Sequence, residues 1–385
     1  MSGSPRAARS AEEAPAPGGA HLARLGPEPR PAGGDGEARA LAYAAGVLRD
    51  AGFTVRTERF AYSAFPGRHA TPVGGVLGVA TVLPAALLGL ASPGSWHAAA
   101  LLAAGLCLLA LFVRAMLGDA VLDLPLRRAE SCNLVATRGA ASPAVWLVAH
   151  LDSKSQPVPS AVRVAGVALL AVALVVAGVT AIGSVLLLHA PQASAPVLRA
   201  GWWIAAILAV AGGPAVVASV VGASSDGAVD NASGVATVLL AAERVRPTVP
   251  LGVLLPSAEE LGLAGARAFV RRWARPPGGA TALNCDGIDD EGAMTIMYSG
   301  ARPTALADLM ERISGAPLRV QRLPVGMLAD SVAFADRGWT SVTVSRGGWA
   351  TLRRIHTRGD SLRALRGTGL DAAATLLARA VEALA

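Results

Sequence analysis

The sequence predicts an α/β fold, a sheet with helices on both faces, with about four transmembrane helices added in two hairpins. Short apolar runs bounded by polar residues, glycine or proline alternate with helical patterns, which is typical of strands buried in such a sheet. The composition is unusual for a soluble chain, because 53% of the 385 residues are hydrophobic and only 16% are charged. Mean hydropathy is +0.48. We therefore expect part of the chain to lie in lipid.

The N-terminal region divides into a tail and a first helix and strand. Residues 1–37 are rich in Ala, Pro, Gly and Arg and lack the apolar run that a signal peptide requires, so we expect a disordered tail. From Glu37 to Ala51 apolar residues recur at helical spacing, and Gly52 ends this helix before the alternating stretch 53–60. A soluble helix followed by a strand is predicted.

Four long apolar stretches follow in two pairs, which are residues 73–91 and 98–117, then 164–188 and 200–221. Each is close to the roughly 20 residues needed to cross a bilayer core, and each is almost free of charge. The alternative is a set of buried core helices in a large soluble protein. The two pairs predict two membrane hairpins, at residues 71–120 and 158–223.

Each hairpin returns the chain to the side that it left, so the segments 38–70, 121–157 and 224–385 can build one extramembrane domain. Basic residues flank the ends of the hairpins on this side, namely Arg68, Arg114, Arg127, Arg128, Lys154 and Arg163. The hairpin tips offer only Arg199 and two histidines. By the positive-inside rule the domain should face the cytoplasm.

Strands and helices alternate within this domain. The predicted strands are residues 144–149, 251–255, 280–285 and 341–345. The predicted helices are residues 232–245, 264–274, 304–313 and 370–384. Candidate site residues fall at the strand ends or in the loops beyond them, which is where open α/β sheets bind ligands.

Charge and cysteine content exclude two other classes of site. The formal net charge is +7, but the arginines are scattered and are not interleaved with aromatic residues, so no nucleic-acid surface is expected. Cys107, Cys132 and Cys285 are too few and too dispersed for a disulfide framework or a thiolate metal site. We expect them to be free.

The first candidates lie after the strand 144–149. In the motif AHLDS, His150 ends the strand and Asp152 follows two positions later, so the carboxylate can bind the second ring nitrogen and fix the tautomer. A structural His–Asp pair is the alternative. Asp230, in GAVDNASGVA, precedes a predicted helix and could equally cap it.

Three further segments carry acids or an imidazole after apolar runs. Glu259 and Glu260 follow LGVLL; two neighbouring carboxylates repel unless a cation lies near them, and a solvated acidic loop is the alternative. Asp286 follows TALNC, where an ionised group needs a partner, or it forms a turn before Gly287. His356, in RRIHTRGD, could also be an exposed loop histidine.

Taken together, the motifs HLDS, GAVDNASGVA, PSAEELGLAGARAF, LNCDG and IHTRGD resemble the zinc-dependent aminopeptidases of the M28 family. The same motifs occur there in the same order, between the same strands and helices. The resemblance covers roughly residues 37–67 and residue 124 to the C-terminus, apart from the second hairpin. It implies a mixed, mostly parallel sheet of the zinc exopeptidase type.

The resemblance also implies two zinc ions per chain and a role for each residue. Asp230 would bridge the ions, with His150 and Asp286 completing one site and Glu260 and His356 completing the other. Glu259 would be the general base, and Asp152 would orient His150. These are nitrogen and oxygen donors, which suit zinc.

The chain departs from the family pattern at two places. The interval between His150 and Asp230, short in soluble relatives, contains the whole second hairpin, so this hairpin must leave and re-enter the domain at neighbouring points. Where the family often shows Ser-Asp-His, this chain has Ala329, Asp330 and Ser331. We expect Asp330 to bind a substrate amine.

The sequence thus predicts a multi-pass cell-membrane protein whose two-zinc metalloexopeptidase domain removes N-terminal amino acids from peptides. Its expected partners are peptide substrates and the lipid bilayer, with no nucleic acid. The alternatives are a catalytically silent binding or scaffold protein on the same fold and a single-zinc enzyme similar to glutaminyl cyclase. A small transporter would need ionisable residues inside the spans, and the spans are nearly free of them.

Overall fold

A computed structural model describes residues 17–139, 142–187, 191–273, 279–324 and 326–385. Among these residues, eight strands form one sheet in the order β1-β2-β4-β3-β5-β8-β6-β7. The strands are β1 (Thr54–Ser63), β2 (Arg128–Arg138), β3 (Val145–Val148), β4 (Leu251–Leu255), β5 (Thr281–Ile288), β6 (Ala293–Tyr298), β7 (Arg319–Arg322) and β8 (Thr340–Gly347). The pairs β3–β4, β3–β5, β5–β8 and β6–β7 are parallel. The pairs β1–β2, β2–β4 and β6–β8 are antiparallel. The predicted mixed, mostly parallel sheet is confirmed.

The helices of the described residues fall into two groups, four long apolar helices and those that pack around the sheet. The long helices are α3 (Phe65–Ala91), α4 (Trp96–Met116), α6 (Ser160–Leu186) and α7 (Pro191–Val217). The others are α1 (Pro17–Leu25), α2 (Asp35–Asp50), α5 (Ala120–Asp123), α8 (Gly234–Arg244), α9 (Ala264–Arg272), α10 (Thr304–Ser314), α11 (Asp330–Ala335), α12 (Trp349–Arg354) and α13 (Leu370–Leu384).

Both faces of the sheet are covered by helices. On one face, α8 and α13 pack against the central strands, α2 packs against β1 and β2, and α1 packs against α8. Leu48, Val238 and Leu377 are fully buried there. On the other face, α9 and α11 enclose an aromatic cluster in which Trp146 of β3 contacts Phe269 edge-on, with ring centroids 4.9 Å apart. Because the central strands are buried on both sides, their sequences are continuous apolar runs.

The expectation of a disordered tail over residues 1–37 is wrong for residues 17–37. Helix α1 packs its Leu22 and Leu25 into the core beneath the sheet. Arg30 is only 1% exposed, and Glu37 is 3% exposed. The composition suggested disorder because Pro and Gly dominate this stretch, but polar contacts with the rest of the domain hold it in place. Residues 1–16 lie outside the described residues.

The four long helices agree with the predicted apolar stretches and extend most of them by several residues. Each is long and apolar enough to cross a membrane, judged by length and composition. Small residues bring the helices close together: a Cβ added at Gly89 of α3 would lie 2.2 Å from Trp202 of α7. Close approach through glycine is the usual way in which membrane helices pack.

The second hairpin leaves and re-enters the domain through adjacent residues, as the sequence required. Ser155 and Gly222 form an isolated antiparallel bridge, with N to O distances of 3.0 and 2.7 Å. The Ser155 hydroxyl also accepts a hydrogen bond from the backbone N–H of Ser224 at 2.9 Å. These bonds close the base of the hairpin, so His150 and Asp230 remain close despite the inserted helices.

Candidate metal centre

The candidate residues meet at one edge of the sheet. His150 follows β3, Glu259 and Glu260 follow β4, and Asp286 lies near the end of β5. These three strands are adjacent and parallel, so their carboxyl ends lie side by side. His356 enters from the loop after α12.

Asp230 lies between the two histidines. Its Oδ1 is 3.2 Å from Nε2 of His150, and its Oδ2 is 2.8 Å from Nε2 of His356. Each carboxylate oxygen therefore faces a different imidazole. A carboxylate in this position can bridge two cations, one beside each histidine.

The remaining acids divide between the two histidines. Oδ1 of Asp286 lies 3.6 Å from Nε2 of His150, and Oε1 of Glu260 lies 3.4 Å from Nε2 of His356. Donor atoms of His150, Glu259 and Asp286 lie within 4.8 Å of one another, and so do those of Asp230, Glu260 and His356. Glu259 is the outermost acid of the first group, with its Oε2 4.0 Å from the His150 ring.

Asp152 is buried below His150, but its carboxylate does not make the contact that the sequence suggested. Nδ1 of His150 lies 3.0 Å from the backbone oxygen of Asp152 and 3.6 Å from its carboxylate. The carboxylate instead accepts hydrogen bonds from the backbone N–H groups of Glu259 at 3.0 Å and Glu260 at 3.2 Å. The main chain of Asp152 therefore orients the imidazole of His150. Its side chain orients the segment that carries Glu259 and Glu260.

The turn that carries Asp230 is held by buried polar groups. The carboxylate of Asp360 accepts hydrogen bonds from the backbone N–H groups of Val229 at 2.7 Å and Asp230 at 3.2 Å. Asn231 bonds to the backbone on both sides of Asp286, donating to Cys285 O at 2.9 Å and accepting from Gly287 N at 3.1 Å. The bridging carboxylate and Asp286 are thus tied together through the backbone.

A glycine and an arginine support the start of this turn. Gly227 has φ +61°, and a Cβ there would lie 2.4 Å from the Asp230 backbone oxygen, so another residue would not fit. The Arg30 guanidinium donates to the backbone oxygens of Gly227 and Asp226 at 2.9 and 2.7 Å. Arg30 and Asp360 were not predicted as site residues, because neither is one of the candidate metal ligands in the five motifs.

The electrostatics separate the acids into different roles. Burial and the neighbouring carboxylates of Glu260 and Asp330 raise the pKa of Glu259 well above its usual range. Burial would also raise the pKa of Asp230, but the two neighbouring imidazoles of His150 and His356 hold it well below the usual range. A carboxyl with a raised pKa suits a proton acceptor and donor, whereas one that stays ionised suits a cation ligand.

Asp330 begins α11 and is fully buried. Neither of its carboxylate oxygens has a hydrogen-bond partner among the described residues. Burial raises its pKa to about 8, and the charges of His150 and Asp286 also act on it. An unpaired buried acid of this kind is stabilised when a cationic group binds beside it.

Lys154 is a site residue that the sequence analysis assigned to the membrane flank. Its ammonium forms an ion pair with Oε2 of Glu260, and its side chain is 17% exposed. Two features of the sequence could have identified it as a site residue. It lies two residues after Asp152 in HLDSK, and it is the only lysine in the chain.

The fold is similar to that of three solved structures, two aminopeptidases and a glutaminyl cyclase. An aminopeptidase from Aneurinibacillus sp. strain AM-1 aligns with a TM-score of 0.53 at 15% identity, covering 95% of this chain and 92% of its own. A zinc aminopeptidase from Bacillus subtilis aligns with a TM-score of 0.52 at 14% identity, covering 95% and 94%. A glutaminyl cyclase from Fimbriiglobus ruber gives 0.54 at 12%, covering 97% and 99%.

A comparison with protein-family models finds a match over part of the chain. Residues 213–381 match the model of peptidase family M28, so the resemblance to this family is confirmed over that part of the chain. The matched stretch includes Asp230, Glu259, Glu260, Asp286 and His356 and begins after His150. No curated protein matches the chain.

Proposed function

We propose that this protein is a membrane-anchored two-zinc metalloexopeptidase that removes amino acids from the N-termini of peptides. The observation that carries the proposal is the position of Asp230, with one carboxylate oxygen directed at each of two imidazoles. A second carboxylate lies beside each imidazole, and Glu259 stands at the edge of the group. This arrangement supplies a bridge, end ligands and a separate acid, the parts that two-metal hydrolysis requires.

The donor atoms support a fit to metal ions. Nε2 of His150 and Oε1 of Glu260 are buried and make no hydrogen bond of good geometry among the described residues. Asp230, Glu259 and Asp286 add further negative charge in the same small volume. Such a concentration of buried carboxylates is unfavourable unless cations neutralise it. Zinc would be held by His150, Asp286 and Asp230 at one position and by Asp230, Glu260 and His356 at the other.

Within this proposal the protein's own residues move the proton and orient the peptide. Bound zinc would supply Lewis-acid polarisation of the peptide carbonyl and a lowered pKa for water. Glu259, whose pKa is raised by burial, accepts the proton of the attacking water and transfers it to the departing amine. Asp330 would pair with the substrate's N-terminal ammonium, because its oxygens have no other partner among the described residues. A buried acid at this place would select a free N-terminus.

The location that we propose is the cell membrane, with the peptidase domain on the cytoplasmic face. The four apolar helices support membrane insertion by their length and composition, and the arginines near the hairpin ends support the orientation. The backbone N–H of Gln156, next to the base of the second hairpin, donates to the backbone oxygen of His356 at 2.8 Å. The metal centre would therefore lie close to the membrane surface, where the substrates would be cleaved.

The test combines zinc content with turnover on aminoacyl reporters and free peptides. In purified protein, Glu259→Gln should lower turnover about 100-fold or more while zinc remains bound. Glu243→Gln, an exposed acid on α8, serves as the control and should keep full activity. Zinc retained with no turnover on any peptide would favour the scaffold alternative. Release of ammonia from peptides with N-terminal glutamine would favour the cyclase alternative, whose fold is shared.

A further inference from the structure

The only lysine of the chain lies in the metal centre. Lys154 forms an ion pair with Oε2 of Glu260, while Oε1 of the same carboxylate faces His356 at 3.4 Å. Glu260 therefore has one oxygen directed to the histidine and one engaged by an ammonium. The other 33 residues among the 34 basic ones are arginine, so a lysine at this point is a distinctive feature of the sequence.

The two halves of the site differ in charge because of this contact. Asp286 and Glu259, in the half that contains His150, form ion pairs only with that histidine among the described residues. Two other basic residues near the site are engaged elsewhere: Arg30 donates to backbone oxygens, and Arg163 bonds to the side chain of Gln156. The half that contains His356 thus has its own fixed cation, and the other half has none.

A fixed ammonium acts on a nearby dication in two ways. It occupies an oxygen that would otherwise share its charge with the metal, and it repels the metal directly, an interaction that is strong in a poorly solvated site. Both effects weaken the metal position formed by Asp230, Glu260 and His356.

We propose that Lys154 makes the two metal positions unequal, so that zinc binds firmly beside His150 and Asp286 and more weakly beside Glu260 and His356. This inference rests on the metal centre of the proposed function. The ammonium balances Glu260 when the weaker position is empty and loses this partner when zinc binds there. The second ion is then an exchangeable one, whose occupancy follows the free zinc concentration.

The experiment measures zinc bound per chain against buffered free zinc, using the full-length protein in detergent after removal of metal by a chelator. The wild type should bind zinc in two separate steps. Lys154→Met, which keeps the length of the chain without its charge, should move the second step to at least about tenfold lower free zinc and leave the first step nearly unchanged. Lys154→Arg should behave as the wild type. Arg163→Met, which removes a charge that does not contact Glu260, is the matched control and should move the second step much less.

Amine acylation gives a second readout on the unaltered protein. Because Lys154 is the only lysine, mass spectrometry can follow acetylation of one ε-amine in a defined peptide. We expect its acetylation to be several-fold faster at two zinc ions per chain than at one, since the second ion releases the amine from Glu260.

The outcomes separate this inference from the proposed function. Two equal steps in the wild type, or a second step that Lys154→Met leaves in place, would overturn the inference while the two-zinc centre stands. Equal acetylation at one and two zinc ions would also overturn it. A wild type that binds no zinc would instead refute the proposed function itself.

Discussion

Arg30 offers a test of how the N-terminal segment supports the metal centre. Its guanidinium makes four hydrogen bonds of 2.7 to 2.9 Å, to the backbone oxygens of Leu25, Leu151, Asp226 and Gly227. These acceptors belong to α1, to the segment after β3 and to the turn before Asp230. One side chain therefore connects three segments that support the candidate site.

The structure sets the expected size of the effect of Arg30→Met. A hydrogen bond from a charged donor contributes about 1.5 kcal/mol or more, so four of them contribute roughly 6 kcal/mol. Methionine also removes the cost of burying the guanidinium, which is several kcal/mol, but leaves the backbone oxygens without their donor. We expect a net loss of about 3–5 kcal/mol in the free energy of unfolding.

The assay is thermal unfolding in detergent, followed by zinc content at a temperature where the variant is folded. Arg24→Met is the matched control, because Arg24 is an exposed arginine on the neighbouring helix α1; its effect should be within about 0.5 kcal/mol. If Arg30→Met and Arg24→Met unfold at the same temperature, Arg30 does not hold the site together and the reasoning is wrong.

Two further predictions concern buried acids near the site. Burial raises the pKa of Glu37 from 4.5 to about 7, so between these pH values the folded protein keeps a proton that the unfolded chain releases. The contribution of Glu37 to the free energy of unfolding is therefore complete below about pH 4.5 and is lost as the pH rises to about 7. The stability of the wild type relative to Glu37→Gln should therefore fall by up to about 3 kcal/mol between about pH 5 and pH 8, and a pH-independent difference in thermal unfolding would contradict this. Asp152→Asn should lower zinc affinity about 10- to 100-fold. The carboxylate uses one oxygen for each of the N–H groups of Glu259 and Glu260, and the amide nitrogen of asparagine cannot accept one of these two hydrogen bonds. A chelator competition curve identical to that of the wild type would show that Asp152 is dispensable.

Much of the central sheet could be predicted from the sequence, because its strands are short apolar runs with clear ends. The strand Leu251–Leu255 and the helix Leu370–Leu384 agree with their predicted bounds. All five residues of that strand are buried, so hydropathy alone delimits it. The long apolar helices were equally clear for the same reason.

Two strands outside the centre of the sheet, β2 and β7, could not be predicted in this way, because their environment is partly solvent. β7 (Arg319–Arg322) is short and largely exposed. β2 (Arg128–Arg138) mixes charged and apolar residues, since it pairs with the partly exposed β1 on one side and the buried β4 on the other. Neither has the regular alternation or the apolar run that identifies a strand from sequence.

Site residues could be predicted where they belong to a sequence motif. They could not be predicted where their role depends on hydrogen bonds to the main chain. The motifs placed His150, Asp230 and Asp286 at strand ends and turns, and the structure brings them together. Arg30 was missed because a guanidinium that binds main-chain oxygens leaves no pattern in hydropathy or charge. Lys154 was interpreted as a membrane-flanking charge, since sequence spacing could not show that its side chain turns towards Glu260.

The two long apolar helices α6 and α7 are inserted between two candidate metal ligands, His150 and Asp230, which must nevertheless lie close together. The bridge between Ser155 and Gly222 brings the two ends of the hairpin together, and it lies five residues after His150 and eight before Asp230. The bridge therefore keeps the two residues close to one another despite the inserted helices. The backbone N–H of Gln156, the residue after this bridge, donates a hydrogen bond to the backbone oxygen of His356. In this chain the long apolar helices are thus joined by short connections to the segments that carry the candidate ligands.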